Sequence, residues 1–349
     1  MTNTASASLL GPLLKSVSRS FYLTLRILPG GMREPIALAY LLARAADTIA
    51  DTTLIAPEKR LELLLSFRSQ VNTVPDWEAL KRIDVEVTKQ QQDSNEKVLL
   101  ESLGSALSLL SRLGRTDRDA VRNIVSTLTL AMEFDLSTFP SESSGRLGAL
   151  KQYSELDTYT YMVAGCVGEF WTQMTVEHLH ATYAAGIETM MQRGIRLGKA
   201  LQLTNILRDC GKDLLIGRCY LPEEMLGRAS LTPVDLLQPG ASLAARRILV
   251  ELVAKALDHY REGLRYVLAL PRPMVRLRLA CLWPILIGLE TLLILIHNDH
   301  WLEPTKASKL RRIDVYKLVA CSIPVVASNG LIRSWVEKLV AEIEGGMTQ

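Results

Sequence analysis

The sequence is poor in the residues that staple a small protein, chelate zinc or grip nucleic acid. Its five cysteines are odd in number and form no CxxC pair, so neither a disulfide framework nor a structural zinc site is expected, and a reducing compartment fits. The five histidines, His178, His180, His259, His297 and His300, match no metal motif, although His297 and His300 flank Asp299. An excess of one charge is also missing: 40 Lys and Arg against 37 Asp and Glu leave +3, without the clustered basic face of a nucleic-acid binder. No run of alternating β-branched residues is long enough for a sheet. There is no repeat at solenoid periods and no low-complexity linker.

What is present is apolar mass. With 349 residues and 48% hydrophobic content the chain has enough material for a large core. The longest apolar run, 279–296, has roughly the minimum length for a membrane span. Pro284 and Glu290 interrupt it, and a carboxylate at mid-bilayer is costly, so a buried core helix is expected. The N-terminal residues lack a basic region ahead of their short apolar run, and the C-terminal stretch is polar and amphipathic. The expectation is a cytoplasmic protein without a transmembrane anchor, at most peripheral to the inner face of a membrane.

Helical periodicity dominates. A turn at Pro29-Gly30-Gly31 precedes a helix that Pro35 is expected to start and that runs to about Thr52. Pro57 opens the next. Residues 88–97 read as a loop or an exposed helix start, and Thr116 with Asp119 reads as a capping box. Helical patterns then cover about 149–173 and 176–214, with breaks at Leu221-Pro222, Gln238-Pro239-Gly240 and Pro271-Arg272-Pro273. The fold class is all-α, as a single large helical domain spanning 1–349.

Two polar stripes break the apolar background. Tyr40, Arg44, Asp47 and Asp51 are spaced by 4, 3 and 4 residues, and Gly198, Gln202, Asn205, Asp209 and Asp213 by 4, 3, 4 and 4. Each set occupies one face of a helix. Unpaired buried carboxylates are costly, and four of them facing one cavity would require cations. Oxygen donors with amides nearby, and no His or Cys in phase, suit Mg²⁺ rather than zinc. Mg²⁺ held by one or two carboxylates shares its remaining positions with water and phosphate oxygens. Arg44 and Arg208 stand where they can pair with the same phosphates. One DxxxD on a helix is usually a solvated face; two, each with an arginine and each in apolar sequence, make a diphosphate site the stronger reading. Gly165 and Gly168 fit close helix packing equally well.

In chain order, the segments SRSF (18–21), YLLARAADTIAD (40–51), YTYMVAGCVG (159–168), LQLTNILRD (201–209), GRCYLP (217–222) and SKLRR (308–312) resemble the squalene/phytoene synthase family of head-to-head prenyl transferases. The resemblance implies a single all-α domain of the isoprenoid synthase type with a central apolar channel. The spacing Ala46-Asp47-Thr48-Ile49-Ala50-Asp51 is similar to the squalene synthase branch rather than to the DDxxD of phytoene and dehydrosqualene synthases. Two departures stand out: Ala50, where that branch commonly has Glu, and Lys212, where an acidic residue is usual. Both remove negative charge near the expected metals.

That likeness implies an enzyme that joins two farnesyl diphosphates through presqualene diphosphate and reduces the intermediate with NADPH to squalene. Mg²⁺ would sit on Asp47, Asp51, Asp209 and Asp213, and Tyr159 would manage the proton or the carbocation. Diphosphate would be held by Ser18, Arg19, Ser20, Phe21, Tyr40, Arg44, Gln202, Asn205, Arg208 and Arg218. NADPH phosphates would be held by Arg19, Arg44, Arg208, Lys309 and Arg311. Three alternatives stay open: an NADPH-independent dehydrosqualene- or phytoene-type synthase, an enzyme performing one half-reaction, and a noncatalytic helical partner protein.

Overall fold

The computed structural model describes residues 9–18, 21–179, 183–306 and 308–348. It is all-α, with one two-residue strand pair among the described residues. The chain groups into two compact units, 1–137 with 173–179 and 138–172 with 180–349.

The first unit is built from α1 (Gly30–Asp51), α2 (Pro57–Asn72), α3 (Trp77–Thr88), α4 (Ser94–Glu101), α5 (Leu103–Arg112) and α6 (Arg115–Thr138), whose last residue passes into the second unit. α1 starts five residues before the proline expected to open it. Pro35 forfeits one intrahelical bond there, while Arg33 ties the approach by donating to the carbonyls of Leu28 at 2.9 Å and Arg26 at 3.1 Å. The polar run after α3 is a loop as far as Asp93, whose carboxylate caps α4 by accepting from the Asn95 amide at 2.8 Å. The expected cap at Thr116 is displaced. The Gly114 carbonyl already accepts from the Arg118 amide at 2.9 Å, so Thr116 lies inside the first turn of α6.

The second unit opens with β1 (Gly148–Ala149), which pairs in parallel with β2 (Arg218–Cys219). Next come α7 (Tyr153–Thr160), a π-helical turn at Tyr161–Gly165, and α8 (Cys166–His178), whose end from Gln173 belongs to the first unit. The remaining long helices are α9 (Ile187–Leu215), α10 (Arg246–Ala269), α11 (Val275–Ile296), α12 (Arg312–Val325) and α13 (Asn329–Met347). The pattern read over 176–214 is therefore two helices, and α9 starts only at Ile187.

Glycines set the spacing in this unit. A Cβ on Gly168 would lie 1.9 Å from the Gly194 carbonyl oxygen, and one on Gly198 would lie 2.0 Å from that of Ala164. α9 thus runs backbone-to-backbone against the π-turn and the start of α8, which favours the packing reading of Gly168, one of the two left open.

α11 is the one helix among the described residues that is long and apolar enough to cross a membrane, and most of it is buried within the protein, as a core helix requires. Its Arg278 is fully buried. Nε donates to the Val326 carbonyl at 2.9 Å, Nη1 to the Leu270 carbonyl at 2.6 Å, and Nη2 to Asn329 Oδ1 at 2.6 Å. The buried charge is thereby met by carbonyls at the C-terminal ends of α10 and α12, where helix dipoles favour a cation.

Candidate active site

In the first unit the α1 stripe forms as expected. Tyr40 donates to the Val17 carbonyl at 3.2 Å. Arg44 Nη1 donates to Asp47 Oδ2 at 2.5 Å. A further acid that no motif marks, Glu96 on α4, joins the stripe. Its Oε1 accepts from Arg44 Nε at 2.9 Å and also from Nη2, and its Oε2 accepts from Thr48 Oγ1. Burial, then the neighbouring Asp51 charge, push the Asp47 carboxyl up to about 6, against the pull of Arg44. Two carboxylates one helical turn apart that repel each other in this way are a donor set that a divalent cation relieves. Ser18 Oγ is buried with no hydrogen-bond partner among the described residues, an open donor of the kind a diphosphate oxygen takes up. Arg19, Ser20 and the side chain of Phe21 lie outside the described residues.

In the second unit the α9 stripe carries Gln202, half-buried, and Asn205, exposed. Arg208 forks onto Asp209, with Nε 3.1 Å from Oδ2, while Asp213 lies one turn further along. Lys309 comes in beside this end of α9. The adjoining Lys212 lowers the Lys309 pKa through direct contact and charge repulsion, with Asp209 acting in the opposite sense. Two ammonium groups held against each other suit a polyanion such as a phosphate. Arg311 is not part of this cluster: its Nε and Nη2 donate to Asp314 at 2.7 and 3.0 Å, and its side chain is 77% exposed. Arg218 is likewise engaged, with Nη2 3.0 Å from Glu142 Oε1.

Tyr159 is buried at the end of α7. Its ring stacks on Tyr220 with centroids 4.9 Å apart, and Phe139 meets Tyr220 edge-on at 5.0 Å. Tyr159 and Tyr220 belong to different sequence segments of the resemblance. Among the described residues no three or more His, Cys, Asp or Glu side chains gather into a ready-made metal cage. The carboxylates instead come as pairs, each with an arginine in contact with its first aspartate.

A helical architecture with paired aspartate stripes defines the class, and the chain belongs to the squalene/phytoene synthase family, which it matches over residues 14–314. Members of this family are prenyl transferases of isoprenoid biosynthesis. The squalene synthase of Cyberlindnera jadinii is 26% identical over 329 residues, covering 94% of this chain and 70% of the relative. Among solved structures, TcSQS in complex with the ligand E5700 superposes with a TM-score of 0.74 at 20% identity, covering 99% of this chain and 98% of the other. A ligand-bound dehydrosqualene synthase superposes with a TM-score of 0.59 at 19% identity, covering 97% and 98%. These likenesses carry the fold.

Proposed function

We propose that the protein is a Mg²⁺-dependent squalene synthase that joins two farnesyl diphosphates head to head and reduces the product with NADPH. The observation that carries this reading is the repeated arginine–aspartate contact, Arg44 on Asp47 and Arg208 on Asp209. Each contact lies on a helical stripe that ends in a second aspartate one turn on. Such a stripe offers carboxylates to a cation and a guanidinium to the diphosphate that the cation carries.

Asp47 and Asp51, and Asp209 and Asp213, are the proposed Mg²⁺ ligands; the metal, when bound, supplies the positive charge that makes a diphosphate a competent leaving group. Arg44, Arg208 and the Ser18 hydroxyl donate to diphosphate oxygens, with Tyr40, Gln202, Asn205 and Arg218 as further polar contacts. Preorganised donors of this kind stabilise charge developing on the departing oxygen. Tyr159, with its hydroxyl against that of Tyr220, is proposed to handle the proton lost on cyclopropane formation. Lys309, with Lys212, is proposed to hold the phosphates of NADPH, which supplies the hydride for the second half-reaction. The apolar core keeps water from quenching the carbocations. On this reading the protein is cytoplasmic and touches the inner membrane face peripherally as it releases product.

One observation favours a second reading. Arg311, half of the expected basic pair, is committed to Asp314, which weakens the case for a dinucleotide and leaves an NADPH-independent dehydrosqualene-type synthase as the alternative. Product analysis with farnesyl diphosphate and Mg²⁺, with and without NADPH, separates the two. Squalene only with NADPH supports the proposal; one dehydrosqualene product under both conditions replaces it; no product from farnesyl diphosphate overturns both.

A further inference from the structure

Glu96 lies 52 positions beyond Arg44 and outside every motif of the sequence, yet it is 6% exposed. A buried carboxylate persists only where its charge is met, and here both oxygens are used, Oε1 by Arg44 and Oε2 by Thr48. The guanidinium has five N–H groups in a rigid fork. Among the described residues, two go to Glu96 and one goes to Asp47, leaving one on each terminal nitrogen.

The competing arrangement shows what Glu96 does. Asp47 is three residues from Arg44 on the same helix, and a guanidinium edge matches a carboxylate in a two-pronged pair. That pair would cover both Asp47 oxygens and cancel the charge a cation needs. Glu96 instead takes the edge formed by Nε and Nη2, so that Arg44 reaches only Oδ2 of Asp47 through Nη1. We infer that Glu96 is a positioning residue: it withholds the Arg44 fork from Asp47, so that Asp47 takes a divalent cation and Arg44 offers its remaining N–H groups to a phosphate oxygen. This rests on the reading of Asp47 as a cation ligand.

The test is Mn²⁺ binding to the purified full chain, followed by the electron paramagnetic resonance of the free ion. Asp47→Asn first shows whether binding runs through Asp47. Glu96→Gln, which keeps size and polarity, is expected to weaken Mn²⁺ binding about tenfold, the usual scale for residues that orient metal ligands, with little change in melting temperature. Thr48→Val removes one anchor of Glu96 and should weaken binding about threefold by the same route; it decides the matter if Glu96→Gln does not fold. In an Arg44→Gln background, Glu96→Gln should change the affinity less than about twofold, because its effect runs through Arg44. Wild-type affinity in a folded Glu96→Gln protein overturns the inference. So does an undiminished loss in the Arg44→Gln background, which would mean that Glu96 acts only by its charge. If Asp47→Asn itself binds Mn²⁺ as wild type does, the cation-ligand reading falls and the inference falls with it.

Discussion

The Tyr159 hydroxyl donates to the Tyr220 hydroxyl across 3.2 Å while their rings stack at 4.9 Å. A tyrosine is a poor acid or base near neutral pH unless a neighbour holds its proton in place, and here the neighbour is a second phenol. Tyr159→Phe should lower kcat by about 10²-fold, the lower end for a positioned proton-transfer group. Tyr220→Phe keeps the stack and removes only the partner hydroxyl, so its loss should be smaller, about tenfold or less on the same scale. Both variants should melt close to wild type. Steady-state kinetics on farnesyl diphosphate check this, and a Tyr159→Phe enzyme with full kcat would end the proposed role.

The glycines where α9 meets the π-turn and α8 make a sharper stability prediction. Gly198→Ala places a methyl 2.0 Å from a backbone oxygen that has no side chain to move aside. The helices must separate, so the loss should reach or exceed about 3 kcal/mol, the upper range for overpacking. Gly227 lies inside the short helix Glu223–Arg228, and a methyl group added there would meet nothing within 4 Å. Gly227→Ala should therefore be neutral or stabilise by up to about 1 kcal/mol through helix propensity. Urea denaturation of both proteins is the measurement, and equal midpoints would refute the close-packing account.

His259 gives the protein an acid-side weakness. Its Nδ1 accepts from Arg196 Nε at 2.9 Å. Burial, followed by the charges of Arg196 and Lys199, holds its pKa at about 4 rather than 6.5. Between those values the unfolded chain binds a proton that the folded chain refuses, so stability falls as pH drops from 6.5 towards 4. After allowing for partial exposure the expected loss is about 2 kcal/mol. His259→Gln keeps an acceptor for Arg196 and should flatten this part of the profile. Denaturation at about pH 7 and about pH 5, on either side of the ordinary histidine value, decides: parallel losses in the two proteins would assign the effect elsewhere.

These predictions draw on features that differ in how far the sequence disclosed them. The Arg44–Asp47–Asp51 stripe was legible because helical period alone puts the three on one face, whereas Gly168 was only half legible, since a small residue in an apolar helix fits close approach or a site equally well. Glu96 was not legible. A lone Glu in a short amphipathic helix has nothing in its local pattern to distinguish it from a solvated residue, and its partners Arg44 and Thr48 come from α1, far away in sequence. The contact of Lys309 with Lys212 is hidden for the same reason, since a long stretch of chain separates them. The start of α6 was misplaced locally: Thr116 and Asp119 have the letters of a capping box, but the Gly114 carbonyl receives the first helical bond.

The basic segment after α11 separates into two residues with different surroundings, which gives a prediction the sequence pattern could not make. Lys309 is held beside Lys212, Arg208 and Asp209, whereas Arg311 is exposed and paired with Asp314. If NADPH phosphates bind at the end of α9, Lys309→Ala should raise the KM for NADPH by about tenfold, roughly one charge-assisted contact, and leave formation of presqualene diphosphate nearly unchanged. Arg311→Ala removes only an exposed ion pair of small worth and should shift the same KM by less than about twofold. The effect should lie in KM rather than kcat, because a lost phosphate contact weakens binding of the cofactor and of the transition state alike. Initial rates of squalene formation over a range of NADPH, with presqualene diphosphate followed in parallel, provide the measurement. Equal effects of the two substitutions would show that Arg311 leaves Asp314 to join the cofactor, and no effect of either would move the cofactor away from this end of α9.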